Sequence, residues 1–387
     1  MAFPLVLSNG PPANGKAPSG RNGLAEVAAS GVTHIRTGVA AWSAATIVEQ
    51  RRVLDAIGAH GVRAWLWLGD AAADESPLLA QIVDGLGGHA ALGAYKGVDE
   101  PRNPFRGANW IRPAGPIRAY KRIKAIDPDH PVVIIQAPIG TVAQFTPYRP
   151  AFDVTGADVY PVSYPPGAHT KAGNRDISVV GDVTRKMVRA AGPKPVWMTL
   201  QIAWSGVVPS KDHPNRVPRF PTLQAERFMA YQAIIAGARG LVFFGGHLIQ
   251  VASPEDAGLG WNWSFWQEVL RPLVAELSSS DVAAALAAAR AATQVKASTA
   301  DVELVTRTNA SFGYVIAVRR KGTTSVVTFS GVPSKVKQVE VLGEWVQRPL
   351  PPPIGAGSQQ FRVVDVEGGR FADWLAPHDA RVYRWRR

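Results

Sequence analysis

The amino-acid sequence predicts a (β/α)8 barrel followed by a small antiparallel β-sandwich. Through residues 1–293, short apolar runs alternate with segments of helical periodicity, and eight such runs fit a closed barrel better than a doubly wound sheet. Residues 294–387 contain strand-like runs separated by glycine, proline and lysine turns, without helical segments between them. We therefore expect a barrel domain over residues 1–293 and a sandwich domain over residues 294–387.

Each predicted barrel strand is an apolar run that ends in small or polar residues, where the chain leaves the sheet. In chain order the strands are Pro4–Asn9, Val32–Thr37, Val62–Gly69, Leu92–Val98, Val132–Ala137, Val154–Tyr160, Val196–Gln201 and Gly240–Gly245. No Gly-x-Gly-x-x-Gly segment follows the first strand, which argues against a dinucleotide-binding fold.

The predicted helices lie between these strands and have helical patterning. They are Ala44–Ala59, Ser76–Gly85, Ile117–Ile126, Ile177–Ala191 and Leu223–Ala236. Thr222 is a favourable N-cap for the last of these helices. The fifth unit, Thr141–Phe152, is the weakest, because its helix is short and flanked by prolines.

The chain after the eighth strand is expected to complete the barrel and then to change to strands. Trp261–Glu276 is predicted to be the closing helix, and Asp281–Ala292 to be an alanine-rich helix. The predicted strands of the sandwich are Val302–Arg307, Phe312–Val318, Thr324–Phe329, Val336–Leu342, Gln360–Val364 and Ala380–Trp385.

Composition excludes several classes of function. The 387 residues include no cysteine, which excludes disulfides and thiol nucleophiles, and no histidine cluster has metal-ligand spacing, so we expect no metal and no cofactor. No apolar run approaches the ~20 residues of a membrane span. The first residues lack the features of a signal peptide, which leaves both the cytoplasm and secretion with the signal removed open.

The net charge of +12 comes from dispersed basic residues. No nucleic-acid reader motif accompanies them, so we expect no nucleic-acid partner. The positive charge is compatible with an acidic glycan as partner.

The end of the fourth strand, Asp99-Glu100-Pro101, is the most informative stretch for function. Active sites of such barrels lie at the C-terminal ends of the strands. Side chains alternate between the two faces of a strand, so Asp99 and Glu100 cannot both point into one core. A Glu before proline at a strand end has no helix-capping role. Paired carboxylates at this position fit acid/base chemistry on a glycosidic bond, with Glu100 as the general acid.

Other strand ends supply further carboxylates, amides and aromatic rings. Asp158 is the first choice for a second catalytic carboxylate, followed by Asp99 and Asp70. Aromatic faces pack on sugar rings while polar side chains bond to the hydroxyls. The predicted substrate-binding residues are Asp70, Gln201, Tyr160, Trp204, Trp67, Arg36, His247 and Trp42. Trp65 and Trp67 share one face of a strand, and we expect only the outer one to reach the rim.

Three segments resemble (β/α)8 glycoside hydrolases. Tyr95-Lys-Gly-Val-Asp-Glu-Pro101 resembles their strand-four motif, in which a Glu followed by Pro is the general acid/base. Ala236–Phe244 resembles their segment from helix seven to strand eight, and Phe371–Tyr383 is similar to the last strands of the β-sandwich that follows such barrels. The resemblance implies a glycosidase with a carbohydrate substrate.

One residue departs from this pattern. Retaining members of the group have a nucleophilic Glu at the end of strand seven, where this chain has Gln201. The enzyme could be inverting, with Asp158 or Asp70 activating water at ~6.5–9.5 Å from the acid rather than ~5–5.5 Å. It could be substrate-assisted, with Asp99 orienting an acetamido group, or retaining with another carboxylate as nucleophile.

Three further hypotheses stay open, two that concern Gln201 and one that concerns the net charge. The chain could be a sugar-binding protein that has lost catalysis, or Gln201 could replace the glutamate of a retaining enzyme. The +12 charge alone suggests a lyase or transglycosylase that acts on an acidic glycan.

Overall fold

The computed structural model describes residues 3–167, 170, 172–201, 211, 214–215, 219–244, 253–347 and 359–387. Eight parallel strands form a closed barrel in the order of the sequence, which confirms the predicted fold class. The strands are β1 (Leu5–Leu7), β2 (His34–Gly38), β3 (Arg63–Trp67), β4 (Leu92–Asp99), β5 (Val132–Gln136), β6 (Val154–Val159), β7 (Trp197–Gln201) and β8 (Gly240–Phe244). Pairing of β1 with β8, from Leu5 opposite Leu241 to Leu7 opposite Phe243, closes the barrel.

Helices connect these strands. They are α1 (Gly23–Ala29), α2 (Ala44–Gly58), α3 (Pro77–Leu86), α4 (Ala114–Ile126), α5 (Val142–Phe145), α6 (Val179–Ala191), α7 (Leu223–Ala236) and α8 (Pro254–Leu259). The Oγ1 of Thr222 accepts a hydrogen bond from Ala225 N at 3.1 Å, which confirms the predicted cap. Helix α1 was not predicted from the sequence. Its N-cap is Asn22, whose side chain accepts hydrogen bonds from the backbone N–H groups of Leu24 and Ala25.

The interior of the barrel is filled by side chains. Val6, Trp65, Val133 and Val242, from four different strands, belong to one buried cluster. His34 on β2 contacts the Trp197 ring at 5.8 Å, and burial, followed by the charge of Arg63, lowers the pKa of His34 to about 4. This packed core leaves chemistry to the ends of the strands.

The segment after α8 follows the prediction only in part. The predicted closing helix is present as a continuous run of α9 (Trp263–Phe265), a π-helical turn (Trp266–Leu270) and α10 (Arg271–Ser278). The alanine-rich helix α11 (Ser280–Ala287) ends five residues earlier than predicted. Arg307 donates to the carbonyl of Leu286 at 2.5 Å, and Ala289–Arg290 pairs as strand β9 with Thr308 and Arg307. These bonds hold residues 288–292 outside the helix that the alanine-rich sequence predicted there.

The C-terminal strands form two antiparallel sheets, as predicted. The strands are β9 (Ala289–Arg290), β10 (Lys296–Ala297), β11 (Val302–Thr308), β12 (Phe312–Arg319), β13 (Ser325–Ser330), β14 (Gln338–Gln347), β15 (Gln359–Asp365), β16 (Arg370–Leu375) and β17 (Ala380–Arg386). One sheet has the order β15-β14-β17-β12-β11-β9, and the other has the order β10-β13-β16.

Strand β16 was absent from the predicted set, because a charged residue breaks its apolar alternation. Asp373 occupies a buried position between Phe371 and Leu375 on the inner face. Arg362 and the Tyr383 hydroxyl bond to its carboxylate at 2.8 and 2.9 Å. These partners make the buried charge acceptable, and they are distant in sequence.

The chain divides into two compact units. One comprises Met1–Phe3, Ala230–Ile235 and Ala275–Arg387, and the other comprises Pro4–Met229 and Ala236–Val274. The domain boundary at residue 293 stays a prediction. In the described part of the chain, no helix has the length and apolar character needed to cross a bilayer.

Candidate active site

The predicted catalytic carboxylates lie where β4 and β6 end, on the face at which the strands reach their C-termini. Asp99 is the last residue of β4 and Glu100 follows it, while Asp158 is near the end of β6. The charges of Asp99 and Glu100 both raise the pKa of Asp158, which shows that the three groups are close enough to interact. The structure therefore brings together the three residues that the sequence analysis proposed as catalytic.

The backbone of Glu100 is in the left-handed region, with φ of 41°. This conformation costs a non-glycine residue about 1–2 kcal/mol. Glu100 N donates to Ile135 O at 2.8 Å, and Glu100 O accepts from Asn103 N at 2.9 Å and from Arg106 Nε at 3.2 Å. Strained residues persist where their surroundings over-determine them, and they concentrate at functional sites. The strain therefore agrees with a chemical role for Glu100.

The side chain of Glu100 is half-buried and accepts a hydrogen bond from Asn103 Nδ2 at Oε2. Burial, followed by the negative charge of Asp99, raises the pKa of Glu100. The hydrogen bond from Asn103 and the charges of Lys96 and Arg106 oppose this shift. The net result favours a carboxyl that keeps its proton to a higher pH, as a general acid requires.

Asp99 differs from Glu100 because it has a cation directly beside it. Lys96 Nζ lies 2.6 Å from Asp99 Oδ1. The lysine side chain is 7% exposed, whereas that of Asp99 is 41% exposed. Lys96 Nζ also lies over the rings of Trp65 and Trp67, at 5.4 and 5.7 Å from their centroids. A buried lysine thus presents its charge to a carboxylate that faces outward.

Asp158 and Tyr160 form the β6 side of the site. Burial, followed by the charges of Asp99 and Glu100, raises the pKa of Asp158 well above its usual range, although Lys96 and a hydrogen bond with Tyr160 oppose the shift. Burial and the charge of Asp158 raise the pKa of Tyr160 in turn. The Tyr160 ring stacks on Phe244 of β8, with centroids 5.4 Å apart.

Arg36 supplies a second cation to the site. Its Nε donates to Ser8 O at 2.7 Å, and its guanidinium lies 5.1 Å from the Trp67 ring centroid. Burial lowers the pKa of Arg36, while the charges of Asp99, Tyr160 and Asp158 raise it. The guanidinium is therefore within electrostatic reach of both aspartates.

Gln201, which was predicted to bind substrate, is fully buried and bonded to the backbone of Val162. Its Oε1 accepts from Val162 N at 3.0 Å, and its Nε2 donates to Val162 O at 2.8 Å. The structure therefore gives the amide a bracing position beneath the segment that follows β6. A carboxylate has no N–H to donate, so it could not form the second of these bonds.

The remaining predicted residues have different environments. Trp65 is 1% exposed and Trp67 is half-buried, which confirms that only the outer tryptophan approaches the rim. Trp42 is half-buried in the connection between β2 and α2. Asp70 is exposed in the turn after β3, and no hydrogen bond or ion pair joins its side chain to the other described residues of the site. Trp204 and His247 lie outside the described residues.

Three residues that contact the carboxylates were not predicted from the sequence: Lys96, Asn103 and Arg106. Lys96 is a charged residue inside the apolar run of β4, three positions before Asp99, and this spacing was a usable signal. Arg106 donates to the backbone carbonyls of Asp99 and Glu100, which sequence spacing does not indicate. Within the described residues, no group of three or more histidine, aspartate or glutamate side chains is arranged to hold a metal ion.

Solved structures share this fold at low sequence identity. An α-amylase from Anoxybacillus matches with a TM-score of 0.58 and 11% identity, over 99% of this chain and 97% of the other. A family 5 glycoside hydrolase from Bacteroides vulgatus matches with a TM-score of 0.57 and 10% identity, over 99% and 89% of the two chains. A structure described as a glycoside hydrolase gives 0.59 and 11%, over 99% and 92%. No protein-family model and no curated protein matches the chain.

Proposed function

We propose that this protein is a glycoside hydrolase that cleaves an oligo- or polysaccharide with Glu100 as its general acid. The observation that supports this most directly is the end of β4, where a strained Glu100 with a raised pKa stands beside the lysine-paired Asp99. Carboxyl groups with different protonation tendencies at one site are what glycosidic cleavage uses. The fold shared with glycoside hydrolases is compatible with this activity.

In the proposed reaction, Glu100 gives its proton to the glycosidic oxygen while the bond from that oxygen to the anomeric carbon breaks. The bonding electron pair stays on the leaving oxygen, which becomes a hydroxyl. Water forms a new bond to the anomeric carbon and gives one proton to an ionised carboxylate of the cluster. Glu100 then regains a proton from solvent and the other carboxylate releases one, so that the net reaction adds one water across the bond.

The surrounding aromatic and polar groups are suited to hold a sugar. Trp67 and Trp42 supply half-buried indole rings near the rim, and apolar sugar faces pack on such rings. Arg36 supplies N–H donors within electrostatic reach of the two aspartates. We assign Gln201 a supporting position beneath the β6 connection, because both polar atoms of its amide are bonded to Val162.

Turnover of a panel of aryl glycosides and oligosaccharides by the wild-type protein and by Glu100→Gln tests the proposal. We expect Glu100→Gln to lose about 10²–10⁴-fold in kcat/KM, the range of general acid catalysis. Glu49→Gln on exposed α2 is a matched control that should keep wild-type activity. Full activity of Glu100→Gln would exclude this residue as the acid.

A carbohydrate-binding protein without catalysis is the second candidate function. The observation that favours it is Gln201, an amide where retaining enzymes of the resembling group have a nucleophilic Glu. The same panel separates the two functions. Saturable binding of an oligosaccharide without any product over days would support the binder and refute the hydrolase.

An anionic glycan is the substrate class that the connection after Glu100 favours. Arg102 and Arg112 lie 4.4 and 5.4 Å from the centroid of the Trp110 ring. No ion pair to a carboxylate forms for either arginine within the described chain. Guanidinium groups that stack on a ring keep donors at their edges, which suits carboxylate or sulfate groups.

A comparison of oligouronides with their methyl-esterified counterparts tests this preference. We expect the acidic form to be bound more tightly, and the difference to shrink in Arg112→Gln and at high salt. Equal affinity for the two forms in the wild-type protein would exclude the preference and leave the hydrolase proposal intact.

A further inference from the structure

We propose that Lys96 is a positioning residue that holds Asp99 through one carboxylate oxygen, and that Asp99 rather than Asp158 is the carboxylate that acts with Glu100. This inference rests on the proposed function and assigns the partner of Glu100. Its basis is the 2.6 Å contact between Lys96 Nζ and Asp99 Oδ1, made by a lysine whose side chain is only 7% exposed. A buried ammonium that is paired in this way stabilises the ionised form of its partner.

The surroundings of Lys96 restrict the position of its ammonium group. Its Nζ lies over two indole rings, 5.4 Å from the centroid of Trp65 and 5.7 Å from that of Trp67. Trp65 is 1% exposed and belongs to the packed core of the barrel. The attraction of both rings for the ammonium and its burial favour one position for the charge, which is directed at the end of its own strand.

Asp99 remains open to a substrate although it is paired. Its side chain is 41% exposed, and Lys96 occupies Oδ1. Among the described residues, no hydrogen bond is made to Oδ2. One oxygen is therefore held by the lysine, and the other is available to accept a proton from water or to orient a substrate group.

Asp158 lacks these conditions. Burial, followed by the charges of Asp99 and Glu100, raises its pKa well above the usual range, so that it keeps its proton to a higher pH than an ordinary aspartate does. A protonated carboxyl cannot accept the proton of the attacking water. This reverses the order of preference from the sequence, which placed Asp158 first.

The charged and titratable groups near Asp99 in the described part of the chain fit this assignment. Glu100 adjoins it on β4, and Asp158 and Tyr160 lie on the β6 side, each with a raised pKa. Arg36 of β2 is the second cation within electrostatic reach. Arg106 donates to the backbone carbonyl of Asp99 at 3.0 Å. Close cations thus favour one negative charge in the cluster, and the neighbouring carboxyls respond to that charge by keeping their protons.

The test uses Lys96→Met, which removes the charge at similar length, and Lys96→Arg, which keeps it. Carboxyl protonation is followed in full-length protein by NMR of ¹³C-labelled aspartate, with the Asp99 signal assigned from Asp99→Asn. In Lys96→Met we expect Asp99 to take up its proton at a higher pH than in the wild-type protein, because the cation beside its carboxylate is gone. Lys96→Arg should retain the wild-type titration, and Lys96→Gln replaces the methionine variant if the latter does not fold.

The pH dependence of kcat/KM is the second readout. Loss of Lys96 also removes a charge that lowers the pKa of Glu100. Both limbs of the profile should therefore move to higher pH in Lys96→Met and return in Lys96→Arg, a pattern that a merely structural role does not produce. An Asp99 signal that titrates identically with and without the lysine charge overturns the inference. If the wild-type protein hydrolyses nothing, the proposed function fails, and the NMR titration still decides the role of Lys96.

Discussion

Two carboxylate clusters in this protein differ in how their charge is balanced. In the sandwich, Arg362 binds both oxygens of Asp373 at 3.1 and 2.8 Å and binds Glu344 at 2.6 Å. Tyr383 donates a further hydrogen bond to Asp373 at 2.9 Å. At the rim of the barrel, Asp99, Glu100 and Asp158 have one close ion pair with other described residues, that between Asp99 and Lys96.

The difference separates a structural cluster from a chemical one. In the sandwich the bonds from Arg362 and Tyr383 satisfy the buried carboxylate of Asp373, which stabilises the native arrangement. At the rim, only Asp99 of the three described carboxyl groups has a cation directly beside it. Burial, followed by the charges of neighbouring carboxylates, raises the pKa values of Glu100 and Asp158. Groups whose pKa values lie outside their ordinary range can give or take a proton during a reaction. Carboxylates that lack a full set of counter-charges are therefore typical of a reactive site.

The largest expected effect of breaking the rim cluster is on rate, without a loss of stability. Glu100→Gln should abolish most of the hydrolysis and should raise the free energy of unfolding at neutral pH. The raised pKa of Glu100 means that its ionisation is less favourable in the folded than in the unfolded chain. Chemical denaturation of both proteins at pH 7 checks this. A variant that is clearly less stable than the wild-type protein would count against a strained catalytic acid.

The sandwich should give the opposite result. Asp373→Ala leaves Arg362 and the Tyr383 hydroxyl without their partner, and breaking a buried pair costs about 3–5 kcal/mol. We expect a destabilised protein in urea unfolding whose kcat per folded molecule is unchanged. Glu367→Ala, at an exposed position in the turn before β16, is the control that should change neither quantity.

The pH dependence of stability gives a finer test. The raised pKa of Asp158 means that the folded state keeps a proton that the unfolded chain loses above about pH 4. Wild-type stability should therefore fall, relative to that of Asp158→Asn, as the pH rises from about 4 to 8. Unfolding free energies of the two proteins across this range measure the difference. A constant difference would show that Asp158 is not shifted.

The smallest expected effect concerns Gln201, the buried amide at the end of β7. Gln201→Glu replaces the N–H donor to Val162 O with a second acceptor, which should destabilise the protein by about 1–3 kcal/mol. It should not increase hydrolysis, because the residue braces the backbone. Thermal unfolding and turnover on the same substrates are the measurements. A rise in turnover would instead identify position 201 as a nucleophile site.

Much of the fold was predictable because it depends on local patterns. Eight apolar runs mark the strands of the barrel, and Thr222 marks the start of α7. Each of these signals lies within a few consecutive residues. Strand β16 was missed because Asp373 interrupts its alternation, and its partners Arg362 and Tyr383 are in other strands. Local sequence cannot show a counter-charge supplied by a distant element.

The candidate site shows the same division. Counting strands was enough to place Asp99, Glu100 and Asp158 on one rim, because parallel strands of a barrel present their C-terminal ends together. The left-handed backbone of Glu100 is fixed by contacts such as its hydrogen bond to Ile135. Gln201 makes two hydrogen bonds to Val162, in the connection after β6. No spacing rule indicates either of them.

The sequence by itself determined the barrel, the sandwich and the position of the carboxylates at the ends of β4 and β6, because periodicity and strand order are local properties of a chain. Only the tertiary structure decided the state of those carboxylates. Burial and charges on β4 and in the connection after it raise the pKa values of Glu100 and Asp158, and Lys96, which lies over two indole rings, pairs with Asp99. Electrostatic free energy depends on distance and solvent exposure in the folded molecule, which residue order alone does not specify.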